Sequence, residues 1–252
     1  MILPRVIPAL LLRGEGLVKG VRFKDFKYVG DPINAVKIFN EKEVDELFFL
    51  DISATPEGRT PPLELVQRLA DECYMPFGVG GGIRSADQAR NILKAGAEKV
   101  AINTAAIDDP SVITRIAEQF GKQSVVVSID VQKKWTGGQV VYGRNGTKKT
   151  ALDPVDWAVQ AASLGAGEIL LTSIDRDGTG EGYDLDLIRR VSAAVDVPVI
   201  ACGGAASIDH LRDALRAGAA AVAAGSFFVF HGRKRAVLIN FPNQAELASL
   251  SA

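Results

Sequence analysis

Residues 76–104 and 198–226 are two copies of one segment. Sliding the chain on itself by 122 residues lays PFGVGGGIRSADQARNILKAGAEKVAINT on PVIACGGAASIDHLRDALRAGAAAVAAGS. Without a gap, 12 of the 29 positions are identical, among them Gly81-Gly82, Ser85, Asp87, Arg90 and Gly96. The same shift carries Glu46-Leu-Phe-Phe-Leu-Asp-Ile onto Glu168-Ile-Leu-Leu-Thr-Ser-Ile. General likeness among strand–helix units explains shared apolar and capping positions, but not the paired Gly-Gly turns. A chain built as two similar halves must fold into an architecture that accepts a half-repeat.

The spacing of apolar runs narrows that architecture. Runs without alternation fall at Arg5–Leu11, Leu47–Ile52, Pro76–Val79, Lys99–Asn103, Ser124–Asp130, Glu168–Ser173, Pro198–Cys202 and Ala221–Gly225. Continuous apolar runs of this length read as parallel strands buried on both faces. Amphipathic stretches separate them. Asp31-Pro32, Ser85, Asp109-Pro110, Asp153-Pro154 and Ser207 are helix starts, while Gly96, Gly165 and Gly218 stand where helices end. Eight such units in 252 residues predict a single (β/α)8 barrel, with half-barrels over about 1–120 and 121–230 and an atypical tail over 231–252. An open doubly wound sheet, with fewer strands and a single glycine-rich turn, is the alternative.

Composition limits the function classes. The net charge is −1, which offers no global field to nucleic acid or an anionic membrane. No apolar run reaches the length of a membrane span, and the prolines and arginine of MILPRVIPALLLRGEG argue against a signal peptide. Cys73 and Cys202 lie 129 residues apart and read as reduced thiols of a cytoplasmic protein. Two segments interrupt the pattern: Leu12–Gly30 reads as a long basic loop after strand one, and Trp135–Thr150 as a hairpin turning at Asn145-Gly146. Both leave the C-terminal ends of strands, the catalytic face of a barrel.

The repeat carries chemistry. Gly82 after strand three and Asn103-Thr104 after strand four correspond to Gly203-Gly204 after strand seven and Gly225-Ser226 after strand eight. Glycine lets backbone amides approach an anion, and a Ser or Thr hydroxyl completes the set. Two such sets suit a small molecule with a phosphate at each end, though glycines in one set could equally serve only as turns. Carboxylates at strand ends are acid–base candidates: Asp51, Asp130, Asp175 and Asp177. Half-barrel symmetry puts the partner of Asp130 at Leu11, which cannot transfer a proton. At the opposite barrel end Arg5, Glu46, Lys99 and Glu168 stand at strand starts. They fit either a ring of salt bridges or a gate over a central passage.

These residues carry a resemblance. Through VKGVRF, GDPINA, DELFFLDI, GVGGGIRS, KVAINTAA, FGKQSVVVSID, GAGEILLTSIDRDGTGEGYD and PVIACGGAAS, the chain resembles the cyclase subunit family of imidazole glycerol phosphate synthase over nearly all of residues 1–230. The resemblance implies a glutaminase subunit docked on the N-terminal barrel face. It implies ammonia passing through the barrel to a ribulosyl substrate carrying two phosphates, with no metal or organic cofactor. It assigns Asp130 as a catalytic carboxylate, Lys19 as a loop residue over the substrate, and Arg5, Glu46, Lys99 and Glu168 as the gate. Gly82, Asn103, Thr104, Gly203, Gly204, Gly225 and Ser226 are assigned to phosphate, and Asp51, Thr172 and Asp177 to the pocket. The family's first strand reads Ile-Pro-Cys-Leu-Asp, where this chain reads Ile7-Pro8-Ala9-Leu10-Leu11. Loss of an acid–base group costs on the order of 10²–10⁴ in rate. With the tail SFFVFHGRKRAVLINFPNQAEL, these departures resemble a side branch of second-copy proteins linked to surface-polysaccharide genes. That branch implies ammonia supply to a sugar amidotransferase. A genuine histidine-pathway cyclase and an inert metabolite-binding scaffold are the other two readings.

Overall fold

The computed structural model describes residues 4–232 and 235–251. Eight parallel strands close into a barrel: β1 (Arg5–Arg13), β2 (Leu47–Asp51), β3 (Phe77–Gly80), β4 (Lys99–Ile102), β5 (Val125–Lys133), β6 (Glu168–Ser173), β7 (Val199–Cys202) and β8 (Ala221–Ala224). Each pairs with the next, and β8 returns to β1 with Arg5 opposite Ala221 and Pro8 opposite Ala224. The (β/α)8 expectation holds, and the open sheet does not.

Two apolar layers hold the barrel. Ile7, Ala9, Phe48, Ala101, Val126, Leu170, Ile200, Ala221 and Ala223 fill its interior. A second layer between strands and helices includes Val6, Phe39, Leu69, Ile92, Ile113, Trp157, Val191 and Leu211. Full burial of one such side chain contributes about 1.5–3 kcal/mol. The helices begin where short polar side chains can accept an orphan N–H. Asp31 caps α1 (Pro32–Glu41), Ser85 caps α3 (Ala86–Lys94) after α2 (Leu63–Glu72), and α4 (Ser111–Phe120) follows Pro110. Asp153 caps α5 (Pro154–Ser163), Asp184 caps α6 (Leu185–Ser192) and Ser207 caps α7 (Ile208–Arg216). Each cap is worth about 1 kcal/mol. Gly96, Gly165 and Gly218 have φ of +111°, +110° and +106° just past helix ends.

The segment over residues 12–30 is not a loop. β1 continues to Arg13, and Gly16–Val21 pairs antiparallel with Lys24–Gly30 across a two-residue turn. The turn residues, Arg22 and Phe23, have φ of +52° and +60°. That is the geometry of a primed hairpin turn built without the usual Asn or Gly. The second interruption is a hairpin, as expected, with an added strand. β5 pairs with Gln139–Gly143, which pairs with Lys148–Lys149 across a turn holding Asn145-Gly146. The tail forms a third hairpin, Phe230–His231 with Ala236–Val237, and then α8 (Gln244–Ala248), started by a capping box of Asn243 and Glu246. Of the basic run 233–235, Arg233 and Lys234 lie outside the described residues, while Arg235 donates to the Gly178 carbonyl. All three hairpins stand on the face where the strands end. The first reaches the β6 loop through Arg22, and Phe23 packs beside Gly146 of the second.

Candidate active site

A cavity of about 820 Å³ opens at the C-terminal ends of the strands. Its floor is apolar, formed by Ala9, Leu11, Leu50 and Ala101. Gly82, Asn103 and Thr104 line one side, and Gly225 and Ser226 the other. Gly203 and Gly204 are not part of the wall. They shape the turn behind it, where Gly204 accepts from the Gly182 N–H at 2.8 Å. A Cβ at residue 204 would sit 2.1 Å from the Gly182 carbonyl oxygen, so only glycine fits there.

Three charged side chains meet under the rim. Lys19, carried on the first hairpin strand, is 6% exposed and donates to the carbonyl of Ala9. Asp130 is buried near the C-terminal end of β5, and Asp177 comes from the β6 loop. Burial pushes the Asp130 carboxyl up to about 7, the Asp177 charge adds to it, and a hydrogen bond with Thr172 opposes it. Burial likewise raises Asp177 to about 6 against the pull of Lys19, and lowers Lys19 to about 8 against the pull of Asp177. Two carboxyls and an amine that exchange protons near neutrality can do acid–base work. The sequence offered Asp130 no partner across the mouth; the fold brings Asp177 near it, with Lys19 acting on Asp177 in turn.

Other expected residues serve the wall. Asp51 is consumed by its own loop: it accepts from Ser53 N at 2.9 Å, Ser53 Oγ at 2.8 Å and Ala54 N at 3.1 Å, and pairs with Arg59 at 2.6 Å. Arg59 is a residue that sequence reasoning missed, and only the pairing reveals it. The Asn103 amide donates to the Ser128 carbonyl at 3.0 Å and to Asp130 Oδ2 at 3.3 Å, so it orients the carboxylate. Thr104 Oγ1 donates to Asn103 Oδ1 at 3.2 Å and accepts the Arg144 N–H at 2.9 Å. Leu11 pairs with Leu50 on β2 and with Val18 of the first hairpin. Cys202, half-buried in the cavity wall, and Cys73 are free thiols pushed up to about 12 by burial, which leaves them unreactive at neutral pH.

One prediction follows from the raised Asp130. The folded chain keeps this proton to about pH 7, whereas a solvated Asp releases it near 3.8. The unfolded chain therefore gains on the folded one as pH rises from about 4 to about 7, and the difference is constant above. The full interval is worth on the order of 4 kcal/mol, and Asp177 shares in it. Asp130→Asn is expected to stabilise the fold by about 2 kcal/mol above pH 7 and by nothing near pH 3. Urea unfolding at several pH values checks this, and a pH-independent difference would refute it.

At the other end of the barrel four charges close a ring. Arg5 meets Glu46 at 2.5 Å and Glu168 at 2.6 Å, and Lys99 meets Glu46 at 2.7 Å and Glu168 at 2.8 Å. Every oxygen of both carboxylates is used, and the signs alternate. The apolar interior of the barrel lies between this ring and the cavity.

The chain is thus an apolar-cored (β/α)8 barrel with an amine–carboxyl cluster and glycine-lined walls at its mouth. Residues 5–234 match the family of histidine biosynthesis proteins, and the chain belongs to that family. It is 54% identical over 248 residues to a Pseudomonas aeruginosa protein named "putative imidazole glycerol phosphate synthase subunit hisF2", covering 98% of this chain and 99% of that one. A Leptospira interrogans protein named "putative imidazole glycerol phosphate synthase subunit HisF" is 48% identical over 252 residues, covering 99% of each. A Vibrio vulnificus protein named "putative imidazole glycerol phosphate synthase subunit hisF3" is 48% identical over 248 residues, covering 98% of this chain and 95% of that one. No helix among the described residues is long and apolar enough to cross a membrane.

Proposed function

We propose that this chain is the HisF-like barrel subunit of a glutamine-dependent assembly. A HisH-type glutaminase docks on the N-terminal face, and its ammonia crosses the ring of Arg5, Glu46, Lys99 and Glu168 and the apolar barrel interior to the mouth. The cyclase step is impaired because Leu11 stands where the family places its second carboxylate. The ammonia then serves a sugar amidotransferase that amidates a surface sugar. The carrying observation is the contrast between the two ends: the ring is complete, with all four ion pairs made, while the mouth has Leu11 on its floor. Gly82, Asn103, Thr104, Gly225 and Ser226 are the phosphate contacts in this reading. Gly203 and Gly204 support them from behind, and Asp51 and Thr172 hold the wall.

A second reading has its own observation. The cluster of Lys19, Asp130 and Asp177 supports a working cyclase in histidine biosynthesis, with Asp177 in place of the missing carboxylate. That enzyme would convert the bisphosphorylated ribulosyl substrate and ammonia to imidazole glycerol phosphate and an aminoimidazole carboxamide ribotide.

Mixing the purified chain with a HisH-type glutaminase decides between them. The first reading expects a stable complex and accelerated glutamine hydrolysis, with the ribulosyl substrate consumed at background rate. No complex overturns it, and substrate turnover at a rate usual for the family establishes the second.

A further inference from the structure

We propose that Lys19 acts as a nucleophile, its amine forming an imine with the carbonyl of a phosphorylated sugar held in the mouth. The inference goes beyond ammonia transfer and rests on the reading above only in taking a sugar phosphate as the occupant.

The placement of Lys19 is unusual for a phosphate anchor. Lys24 and Lys27, on the same hairpin, are exposed, as solvated cations that reach for an anion should be. Lys19 is instead buried, with its Nζ between Ala9 and Gly225, both of which line the cavity. Among the described residues, no carboxylate lies within ion-pair distance of it, and its hydrogen bond goes to a neutral carbonyl. A Cβ at residue 225 would fall 2.0 Å from Nζ, so Gly225 makes the room the amine occupies. The same glycine borders the cavity beside Ser226, which puts the amine next to the phosphate cradle. A lysine desolvated by burial, with Asp177 near enough to act on it but not in direct ion-pair contact, is the arrangement that favours a free, nucleophilic amine. Burial lowers it to about 8, so a useful fraction is neutral under mildly alkaline conditions.

The two carboxyls supply the proton traffic. The free amine adds to the carbonyl carbon, and the carbonyl oxygen takes the proton of Asp130. Asp177 removes a proton from the new ammonium and returns it to the hydroxyl, which leaves as water while the nitrogen lone pair forms C=N. The iminium N–H then restores the proton to Asp130. Amine and carbonyl give imine and water, with both carboxyls regenerated and no oxidant or reductant involved.

Borohydride trapping tests this on the unmodified chain. The chain is incubated at pH 7.5, between the values of Asp130 and Lys19, with ribulose 5-phosphate, reduced, and examined by intact mass and peptide mapping. One reduced sugar phosphate per chain is expected, on the peptide holding Lys19. The adduct should be lost with ribitol 5-phosphate, which has no carbonyl, and with excess inorganic phosphate as competitor. Lys19→Arg, which keeps the cation, should also lose it. No adduct, or one confined to exposed lysines such as Lys24 and Lys27, overturns the proposal. The map of the unmodified chain decides the matter even if Lys19→Arg fails to fold. No glutamine, ammonia or partner is present, so failure here leaves the glutaminase experiment standing, and failure there leaves this one standing.

Discussion

Leu11→Asp is expected to convert the chain from background to measurable turnover of the bisphosphorylated ribulosyl substrate with ammonium, a gain on the order of 10²–10⁴. Leu11 is at the end of β1 and lines the same cavity as Lys19, Asp130 and Asp177. A carboxylate there adds a second acid–base group on the β1 side of the mouth. It also introduces a negative charge into a floor now formed by Ala9, Leu50 and Ala101, and the Lys19 ammonium is positioned to balance it. The substitution removes the leucine's contacts, so near-ultraviolet circular dichroism should accompany the rate measurement to establish that the variant is folded. Full-rate turnover by the unmodified chain would show that Leu11 is no handicap. A folded but inert Leu11→Asp variant would show that the mouth has lost more than one group.

Glu46→Ala is expected to cost about 3 kcal/mol of stability, the lower end of the range for breaking a buried pair. Glu46 has a side chain only 3% exposed, and its two oxygens separate the positive charges of Arg5 and Lys99. Removing it leaves Lys99, 16% exposed, and Arg5 sharing Glu168 alone. Arg5 keeps about a third of its surface in water, which is why the upper end of the range does not apply. For a chain of this size the midpoint of thermal unfolding should fall by roughly 6–12 °C. Adding Lys99→Ala should recover part of the loss, because the surplus cation is then gone, and a double-mutant cycle measures the coupling. If Glu46→Ala unfolds at the same temperature as the unmodified chain, the ring has no structural weight.

Much of this was legible in the residues. The half-repeat, the capped helix starts and the eight apolar runs led to the barrel, because buried parallel strands and short caps leave local traces. The four ring charges were legible as strand starts, although only closure of the barrel decides that each carboxylate serves both cations. The first hairpin was not legible. Its turn places Arg22 and Phe23 in the left-handed region, where neither residue announces a turn. With the hairpin went the depth of Lys19, since a loop lysine is expected in solvent. The Asp177 partnership was hidden for a different reason: it joins a loop after β6 to the first hairpin and to strand β5, and no spacing along the chain encodes that distance. Asp51 lines the cavity, but the sequence did not reveal that Arg59 and the Ser53 turn engage both its oxygens.

The hairpins have an electrical consequence. Residues 13–30 and 131–150 together carry ten Lys and Arg against two Asp and Glu, while the remainder of the chain carries 19 against 28. A molecule of net charge −1 therefore carries a local excess of about eight positive charges on these two hairpins, against about nine negative ones over the rest of the chain. Such an excess draws an approaching anion toward the hairpins that flank the cavity before any contact is made. Capture of a phosphorylated ligand should accordingly slow as added salt shortens the reach of the field to about 10 Å and below.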